Sequence, residues 1–405
     1  MTTYSAVVTT GIYCRPGCGA RPLAENVRTF ELAASAEAAG FRACLRCRPY
    51  RVAGPIAAAA PELVCRAVQL IIEGVLDTGT EAALGSRLAV SPRHLRRIFN
   101  EQLGVTPDQL ARSRRAHFAR RLLDDTDLTV ADVAFASGFA SIRQFNRQMR
   151  EVFDAAPGEL RDRRRRADRL AADGGLTMRL PFEPPLRWDE TAAYFAGRVV
   201  PGVESVCGQV YRRTISLDGA PGVLEIHPGG ADHLLLRAHL PYWEGLIHVA
   251  ERAARMVGAD GSPANRVPGA WGPFEAAVQA VIAQGCDDPG DVHRQLGEIV
   301  RRFGLPVPGL SHGLTHLFPS AEVVAAGDPG SLDLPTASIK TVLALATAVS
   351  SGEIVLDHSA RRADLVSSLS AVAGIELATA QQIAIRLGGP GSVAARAAAL
   401  PDSRS

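Results

Sequence analysis

The sequence lacks the features that place a protein in or across a membrane. No apolar run approaches the roughly 20 residues of a membrane-spanning helix, and no basic segment precedes an apolar one at the N-terminus. We therefore expect no signal peptide and a cytoplasmic location. Lysine is nearly missing too, since Lys340 is the only one, so arginine carries almost all of the positive charge.

The length and the charge distribution indicate several domains with different partners. A chain of 405 residues, 47% of them apolar, is too long for one ordinary core and predicts two to four domains. The net charge is +2, but residues 1–170 carry +8 and the remainder carries −6. A basic first part predicts nucleic-acid binding there.

Four of the seven cysteines form two tight pairs, Cys14 with Cys18 and Cys44 with Cys47. Two such pairs can close a tetrahedral all-cysteine zinc site. The alternative is a pair of disulfides, which fits poorly with a chain that has no secretory segment. Five arginines flank the pairs and predict a basic collar that faces a polyanion: Arg15, Arg21, Arg42, Arg46 and Arg48.

Two helix-turn-helix units are predicted between residues 61 and 168. In the first, Ser91 and Pro92 begin a helix that would project Arg93, His94, Arg96 and Arg97 outward. A long helix from about residue 107 to 123 follows. In the second unit Ser141 caps a helix with Ile142, Phe145 and Met149 facing inward and four candidate readers of base edges outward: Arg143, Gln144, Asn146 and Arg147.

The second unit resembles the AraC-type regulators. Residues 133–139 read VAFASGF and are followed by Ser141, Phe145 and Asn146, which is the pattern of that family's second helix-turn-helix. The resemblance implies two recognition helices placed in successive major grooves of promoter DNA. The alternative is a basic helical bundle with no role on DNA.

Residues 1–53 resemble the N-terminal zinc domain of the Ada family. The stretches TTGIYCRPGC at 9–18 and GFRACLRCRP at 40–49 carry the likeness. The resemblance implies one zinc ion held by Cys14, Cys18, Cys44 and Cys47, with Cys14 accepting a methyl group from a DNA methylphosphotriester. A purely structural zinc is the alternative. Family members carry a longer segment before the motif than the thirteen residues present here.

Residues 176–405 resemble the AlkA-type 3-methyladenine DNA glycosylases. The stretches YRRT at 211–214, RVPG at 266–269 and FEAAVQAVIAQ at 274–284 carry this likeness. The fold class expected for the whole chain is multidomain and mainly α. It comprises a small four-cysteine α/β zinc domain, an all-α double helix-turn-helix domain, and an α+β domain with a small antiparallel sheet and a helix-hairpin-helix array.

Several positions depart from the glycosylase pattern. The resemblance implies a hairpin of the form Gly-Ile-Gly-x-Trp whose amides hold a DNA phosphate, but Glu376 replaces the second glycine and Ala378 the tryptophan. Glu376 also resists the positive φ of a glycine. Gly285 stands where a residue should wedge into the duplex. The essential aspartate is expected at Ala398, and Asp402 is a weak substitute.

These patterns predict an alkylation-damage response protein. The zinc-bound cysteine accepts the methyl group, and the helix-turn-helix domain regulates repair genes. Compared with the glycosylase family that it resembles, the C-terminal domain is expected to be truncated at its C-terminus and impaired as a glycosylase. The alternative is an active base-excision enzyme. The expected partners are double-stranded DNA, both promoter and alkylated, and RNA polymerase, with no membrane. This location on DNA would associate the protein with the nucleoid.

Overall fold

The N-terminal part folds as a small sheet closed by one helix. A computed structural model describes residues 3–52, 60–171, 174–260, 268–286, 288–328, 330, 333–357 and 359–387. Its first four strands are β1 (Tyr4–Val7), β2 (Ile12–Cys14), β3 (Val27–Phe30) and β4 (Arg42–Ala43), and α1 spans Ala33–Ala38. The sheet order is β3-β1-β2-β4, and β4 runs parallel to β2. The predicted α/β zinc module is confirmed.

Eight helices follow, as the double helix-turn-helix prediction requires. The first unit contains α2 (Glu62–Ile72), α3 (Val75–Thr78), α4 (Glu81–Arg87) and α5 (Pro92–Leu103). The connecting α6 spans Pro107–Asp125, and the second unit contains α7 (Val130–Ala136), α8 (Ile142–Phe153) and α9 (Pro157–Asp162). The Ser91 and Ser141 side chains accept hydrogen bonds from the backbone N–H groups of His94 and Gln144, so both recognition helices begin at the predicted caps.

The C-terminal part combines an antiparallel sheet with a helical array. The sheet contains β5 (Leu176–Pro181), β6 (Glu204–Cys207), β7 (Val210–Leu217), β8 (Ala220–Pro228) and β9 (His233–His239), in the order β5-β9-β8-β7-β6. Helix α10 spans Trp188–Ala196. The array is α11 (Leu246–Met256), α12 (Pro273–Gln284), α13 (Pro289–Phe303), α14 (Ala321–Ala325), α15 (Thr336–Ser350), α16 (Arg362–Ala371) and α17 (Leu377–Arg386). The predicted α+β plan is confirmed.

Two local features of this part become clear only in the structure. The alternating residues 206–216 do not form one continuous strand, because the chain turns at Gly208, where φ is +57°, and forms the β6–β7 hairpin. Residues 188–196 form α10.

The buried apolar side chains of the described residues form three clusters. One belongs mainly to the first helix-turn-helix unit, and one to the helical array from α12 to α17. The largest combines side chains of the zinc module, α6, the second unit, the five-stranded sheet and α11. The zinc module and the second unit are therefore packed into the same core as the sheet.

Candidate metal centre and nucleic-acid interface

The four predicted zinc ligands meet at one end of the small sheet. Parallel pairing of β2 with β4 sets Tyr13 opposite Ala43, and the Cys44 N–H donates to the Tyr13 carbonyl at 3.0 Å. The next residues on the two strands are therefore the cysteines Cys14 and Cys44. All four Sγ atoms lie within 4.8 Å of one another. A tetrahedral zinc site with Zn–S bonds of about 2.3 Å needs sulfur atoms about 3.8 Å apart, so the donor set fits one zinc ion.

The four thiols of the cluster are not in disulfides and influence one another's pKa. None of the seven cysteines is in a disulfide, which excludes the disulfide alternative in this structure. Burial, followed by the charges of Cys47 and Cys44, raises the pKa of the Cys14 thiol well above its ordinary value. Burial likewise raises the pKa of Cys47 to about 12, against a hydrogen bond from the Arg15 backbone. A divalent cation relieves this repulsion.

Backbone hydrogen bonds distinguish the ligands from one another. At Cys44 burial acts to raise the pKa, but the backbone N–H groups of Cys47 and Arg46 outweigh it and lower that pKa. At Cys14 the largest effects on the pKa come from burial and from the neighbouring thiols, and both raise it. Cys14 is also the most buried of the four, with 6% of its surface exposed, whereas the other three are half-buried.

The predicted basic collar is only partly at the surface. Arg21 and Arg46 are exposed, and Arg15 and Arg42 are half-buried. Arg48 was wrongly included, because its side chain is buried and donates to Asp168 Oδ2 at 2.6 Å. It lies 3.7 Å from a second carboxylate, that of Asp124, and so faces the protein interior rather than a polyanion.

The first recognition helix presents its predicted side chains to solvent. Arg93, Arg96 and Arg97 are exposed and His94 is half-buried, while Leu95 and Phe99 are buried beneath them. Two of the arginines make surface ion pairs, Arg96 with Glu81 and Arg97 with Glu101. The Arg97–Glu101 pair is exposed on both sides and contributes little to stability.

The second recognition helix also presents its predicted side chains to solvent, but the prediction for Ile142 was wrong. Ser141, Arg143 and Arg147 are exposed, and Gln144 and Asn146 are half-buried. Ile142 was predicted to face inward but is 42% exposed. It occupies the first helical position, before the apolar face formed by Phe145 and Met149 turns toward the core.

Contacts between the zinc module and α6 were not predicted from the sequence. The Tyr13 hydroxyl donates to Glu37 Oε1 at 2.6 Å and lies 3.1 Å from His117 Nε2. His117 Nε2 is in turn 2.7 Å from Glu37 Oε1. Tyr13 directly precedes Cys14, so the strand that carries this ligand is tied to the long helix between the two units. No short-range pattern signals such a contact.

The predicted helix-hairpin-helix is present between α16 and α17. Gly374 has a φ of +91°, and a Cβ there would lie 2.1 Å from Thr341 Oγ1, so glycine is required. Glu376 instead adopts an extended conformation with φ −75°, so the expected resistance to positive φ does not arise. Its N–H donates to Gln284 Oε1 at 3.1 Å, and Gln284 Nε2 donates to the Gly374 carbonyl at 2.8 Å.

The remaining glycosylase positions are only partly described. Gly285 is the C-cap of α12, and Ala378 lies in the first turn of α17. The predicted aspartate position, Ala398, and the substitute Asp402 lie outside the described residues. None of the helices among the described residues is long and apolar enough to cross a membrane.

Family models match all three parts of the chain. The metal binding domain of Ada matches residues 2–50, a helix-turn-helix domain matches residues 84–163, and the AlkA N-terminal domain matches residues 177–271. A protein named probable bifunctional transcriptional activator/DNA repair enzyme AlkA, from Mycobacterium tuberculosis strain H37Rv, is 35% identical over 95% of this chain and 82% of its own length. This chain belongs to the Ada–AlkA family.

Other relatives of this Ada–AlkA family member match a smaller share of the chain. The bifunctional transcriptional activator/DNA repair enzyme Ada of Escherichia coli K12 is 34% identical over 38% of this chain and 43% of its own length. A crystal structure of the methylated N-ADA/DNA complex is 41% identical, covers 28% of this chain and 85% of that one, and has a TM-score of 0.12. The 3-methyladenine DNA-glycosylase of Archaeoglobus fulgidus is 18% identical, covers 51% and 78%, and has a TM-score of 0.43.

Proposed function

We propose that this protein records alkylation damage at Cys14 and converts it into transcription of repair genes. The four-cysteine cluster carries the proposal, because it fits one zinc ion and lies in a module matched by the metal binding domain of Ada. Two exposed basic recognition helices follow in the same chain. The relatives named as bifunctional transcriptional activators and DNA repair enzymes support the same combination.

The methyl group moves from a DNA methylphosphotriester to the Cys14 sulfur. Zinc bound by Cys14, Cys18, Cys44 and Cys47 would keep these thiols deprotonated at neutral pH. The Cys14 Sγ lone pair forms a bond to the methyl carbon while the carbon–oxygen bond breaks. The electron pair leaves with the phosphate oxygen, which restores a phosphodiester anion, and no proton is transferred. Since Cys14 is buried, the transfer requires a local movement that admits the methyl group to its sulfur.

The transfer changes the charge of the site that faces DNA. Four thiolates around one divalent cation carry a formal charge of −2, and conversion of one thiolate to a thioether leaves −1. Removal of one negative charge beside a phosphate backbone strengthens DNA binding, most clearly at low salt. Exposed Arg21 and Arg46 on the same module supply further attraction to phosphates. Repair thereby becomes a signal that promotes promoter binding.

The same proposal implies how the protein activates transcription and where in the cell it resides. The helix-turn-helix units would place the protein at promoters, where it contacts RNA polymerase. A protein that searches DNA for both damage and operators would reside in the cytoplasm at the nucleoid. Arg93, His94, Arg96 and Arg97 of α5 and Ser141, Arg143, Gln144, Asn146 and Arg147 of α8 are the proposed DNA contacts.

We further propose that the AlkA-like part is impaired as a glycosylase. The resemblance to AlkA-type glycosylases implies that the hairpin amides hold a DNA phosphate. Here the Glu376 N–H already donates to Gln284, and the Glu376 carboxylate repels phosphate. Gly285 offers no side chain to fill the gap left by a flipped base. The competing proposal is an active base-excision enzyme, favoured by the match to the AlkA N-terminal domain.

The methyl transfer is tested by mass spectrometry of the intact zinc-loaded protein after incubation with methylated duplex DNA. We expect one added methyl group per chain, located on Cys14 by peptide fragmentation. Cys65, which lies on α2 outside the cluster, is the matched control, and Cys65→Ser should still gain the methyl group. Cys14→Ser should not. Methylation of no cysteine, together with equal zinc loss in Cys14→Ser and Cys18→Ser, would show that the zinc is purely structural.

A further inference from the structure

Helix α11 of the C-terminal part lies across both helix-turn-helix units. At its N-terminus, the Gly245 N–H donates to the Phe135 carbonyl in α7 of the second unit at 3.3 Å. Three polar side chains follow at intervals of three and four residues, which places them on one face of the helix. They pair with the first unit or with α6: His248 with Asp77 at 2.7 Å, Glu251 with Arg114 at 2.9 Å and Arg255 with Glu73 at 3.7 Å.

One carboxylate of the first unit, that of Asp77 in the short helix α3, contacts both α6 and α11. Its Oδ1 accepts from Arg115 Nη1 of α6 at 2.9 Å, and its Oδ2 faces His248 Nε2. It also lies against the turn of the second unit, because a Cβ on Gly138 would be 2.5 Å from Asp77 Oδ2. The Arg115 guanidinium stacks 5.7 Å from the ring of Phe139 in the same turn. Asp77 thus joins the first unit, α6, the second unit and α11.

His248 binds this junction with both of its ring nitrogens. Nε2 faces the Asp77 carboxylate, and Nδ1 lies 2.9 Å from the Ile72 carbonyl at the end of α2. Both partners are acceptors, and only the protonated imidazolium donates from both nitrogens. His248 therefore connects two points of the first unit, α3 and the end of α2, to the C-terminal part.

The two units are attached to the C-terminal part in different ways. The buried apolar residues of the second unit belong to the same cluster as the sheet and α11. Those of the first unit form a separate cluster with α2, α4, α5 and the start of α6. Polar contacts at Asp77 and Glu73 join the first unit to α11.

We propose that α11, through His248 and Asp77, fixes the position of the first recognition helix relative to the second. The AlkA-like part then determines which spacing between two DNA half-sites the protein accepts. This inference rests on the proposed DNA reading by both units. It assigns the C-terminal part a role in DNA recognition that does not require glycosylase activity, with His248 and Asp77 as positioning residues.

The test measures tolerance to half-site spacing. Duplexes are selected from a random-sequence library with the full-length zinc-loaded protein, and one base pair is then inserted between the two half-sites. The insertion rotates one half-site by about a tenth of a turn. We expect wild type to lose affinity by about tenfold, and His248→Ala and Asp77→Ala to lose less than about threefold. The matched control is His227→Ala on β8, whose ring faces the carbonyl of Pro228; it should behave as wild type.

Other outcomes separate the inference from the proposed function. Variants that discriminate spacing as wild type does, or that bind every spacing more weakly by one common factor, overturn the positioning role and leave the proposed function intact. Selection of no sequence, or of one half-site alone, overturns two-unit reading and the inference with it. If circular dichroism shows that His248→Ala does not fold, His248→Gln, which retains one donor, is used instead. Discrimination between spacings that is intermediate between wild type and Asp77→Ala supports the inference, and discrimination equal to that of wild type contradicts it.

Discussion

Arg48 shows how much a residue's role depends on contacts far along the chain. It follows the zinc ligand Cys47 and takes a left-handed conformation with φ +54°. Its side chain turns into a buried group of carboxylates that includes Asp124 and Asp168. Burial raises the pKa of Asp168, but hydrogen bonds from Arg48 and from the Arg165 backbone outweigh it, so the pKa lies below its usual value.

Removal of the Arg48 charge should destabilise the fold. Arg48→Met leaves two buried carboxylates with one fewer cation, and loss of one partner from a buried pair costs about 3–5 kcal/mol. Arg51 remains 3.2 Å from Asp168 and 3.1 Å from Asp124, so we expect the lower end, about 3 kcal/mol. Urea denaturation of the zinc-loaded protein measures the free energy of unfolding.

Arg46→Met provides the comparison for this residue. Arg46 belongs to the same cysteine loop but is exposed, so its replacement should change the free energy of unfolding by less than about 0.5 kcal/mol. Equal stability losses in the two variants would contradict the interior role of Arg48.

At the scale of elements, the sequence predicted helices better than strand boundaries. Helices α5 and α8 begin at Ser91 and Ser141 because a capping side chain and an apolar period of 3.6 residues both act within a few positions. The β6–β7 hairpin is not evident from the sequence because the alternating pattern continues through its two-residue turn. The antiparallel pairing of β6 with β7 in the structure shows that the chain reverses at Gly208.

The hairpin between α16 and α17 illustrates the same limit. Its helices and its Gly374 turn follow from sequence, but the occupation of its Glu376 N–H by Gln284, a residue 92 positions away, does not. Contacts of this length depend on how α12 packs against the hairpin. The sequence therefore predicted the element and not the state of its amide groups.

The proposed impairment of the glycosylase part predicts little base excision. We expect purified protein to release 3-methyladenine from alkylated duplex DNA no faster than the uncatalysed background, because the amide group and the wedge position are unsuited to a flipped nucleotide. Free base is quantified by chromatography. Release that is abolished by Asp402→Ala would contradict the impairment and establish the competing enzyme. Release of 3-methyladenine by the Ala398→Asp variant but not by the wild type would show that the glycosylase aspartate belongs at position 398.

For the whole molecule, the sequence divided the chain into three parts but did not show how they join. Zinc ligands, recognition helices and the sheet-plus-helix plan were each predicted from local patterns. The shared core and the connections Tyr13–His117, Arg48–Asp168 and Asp77–His248 join residues 104, 120 and 171 positions apart. Through them the zinc module, both helix-turn-helix units and the AlkA-like part form one packed body, in which Tyr13, the residue before Cys14, contacts α6.

The most direct measurement compares the operator affinity of one preparation before and after stoichiometric methylation of Cys14. Fluorescence anisotropy at several salt concentrations gives the dissociation constant for the selected duplex. We expect methylation to tighten binding, by about tenfold at low salt and less at high salt, because one negative charge is removed near the phosphates. Equal affinities at every salt concentration would contradict the conversion of damage at Cys14 into a transcriptional signal.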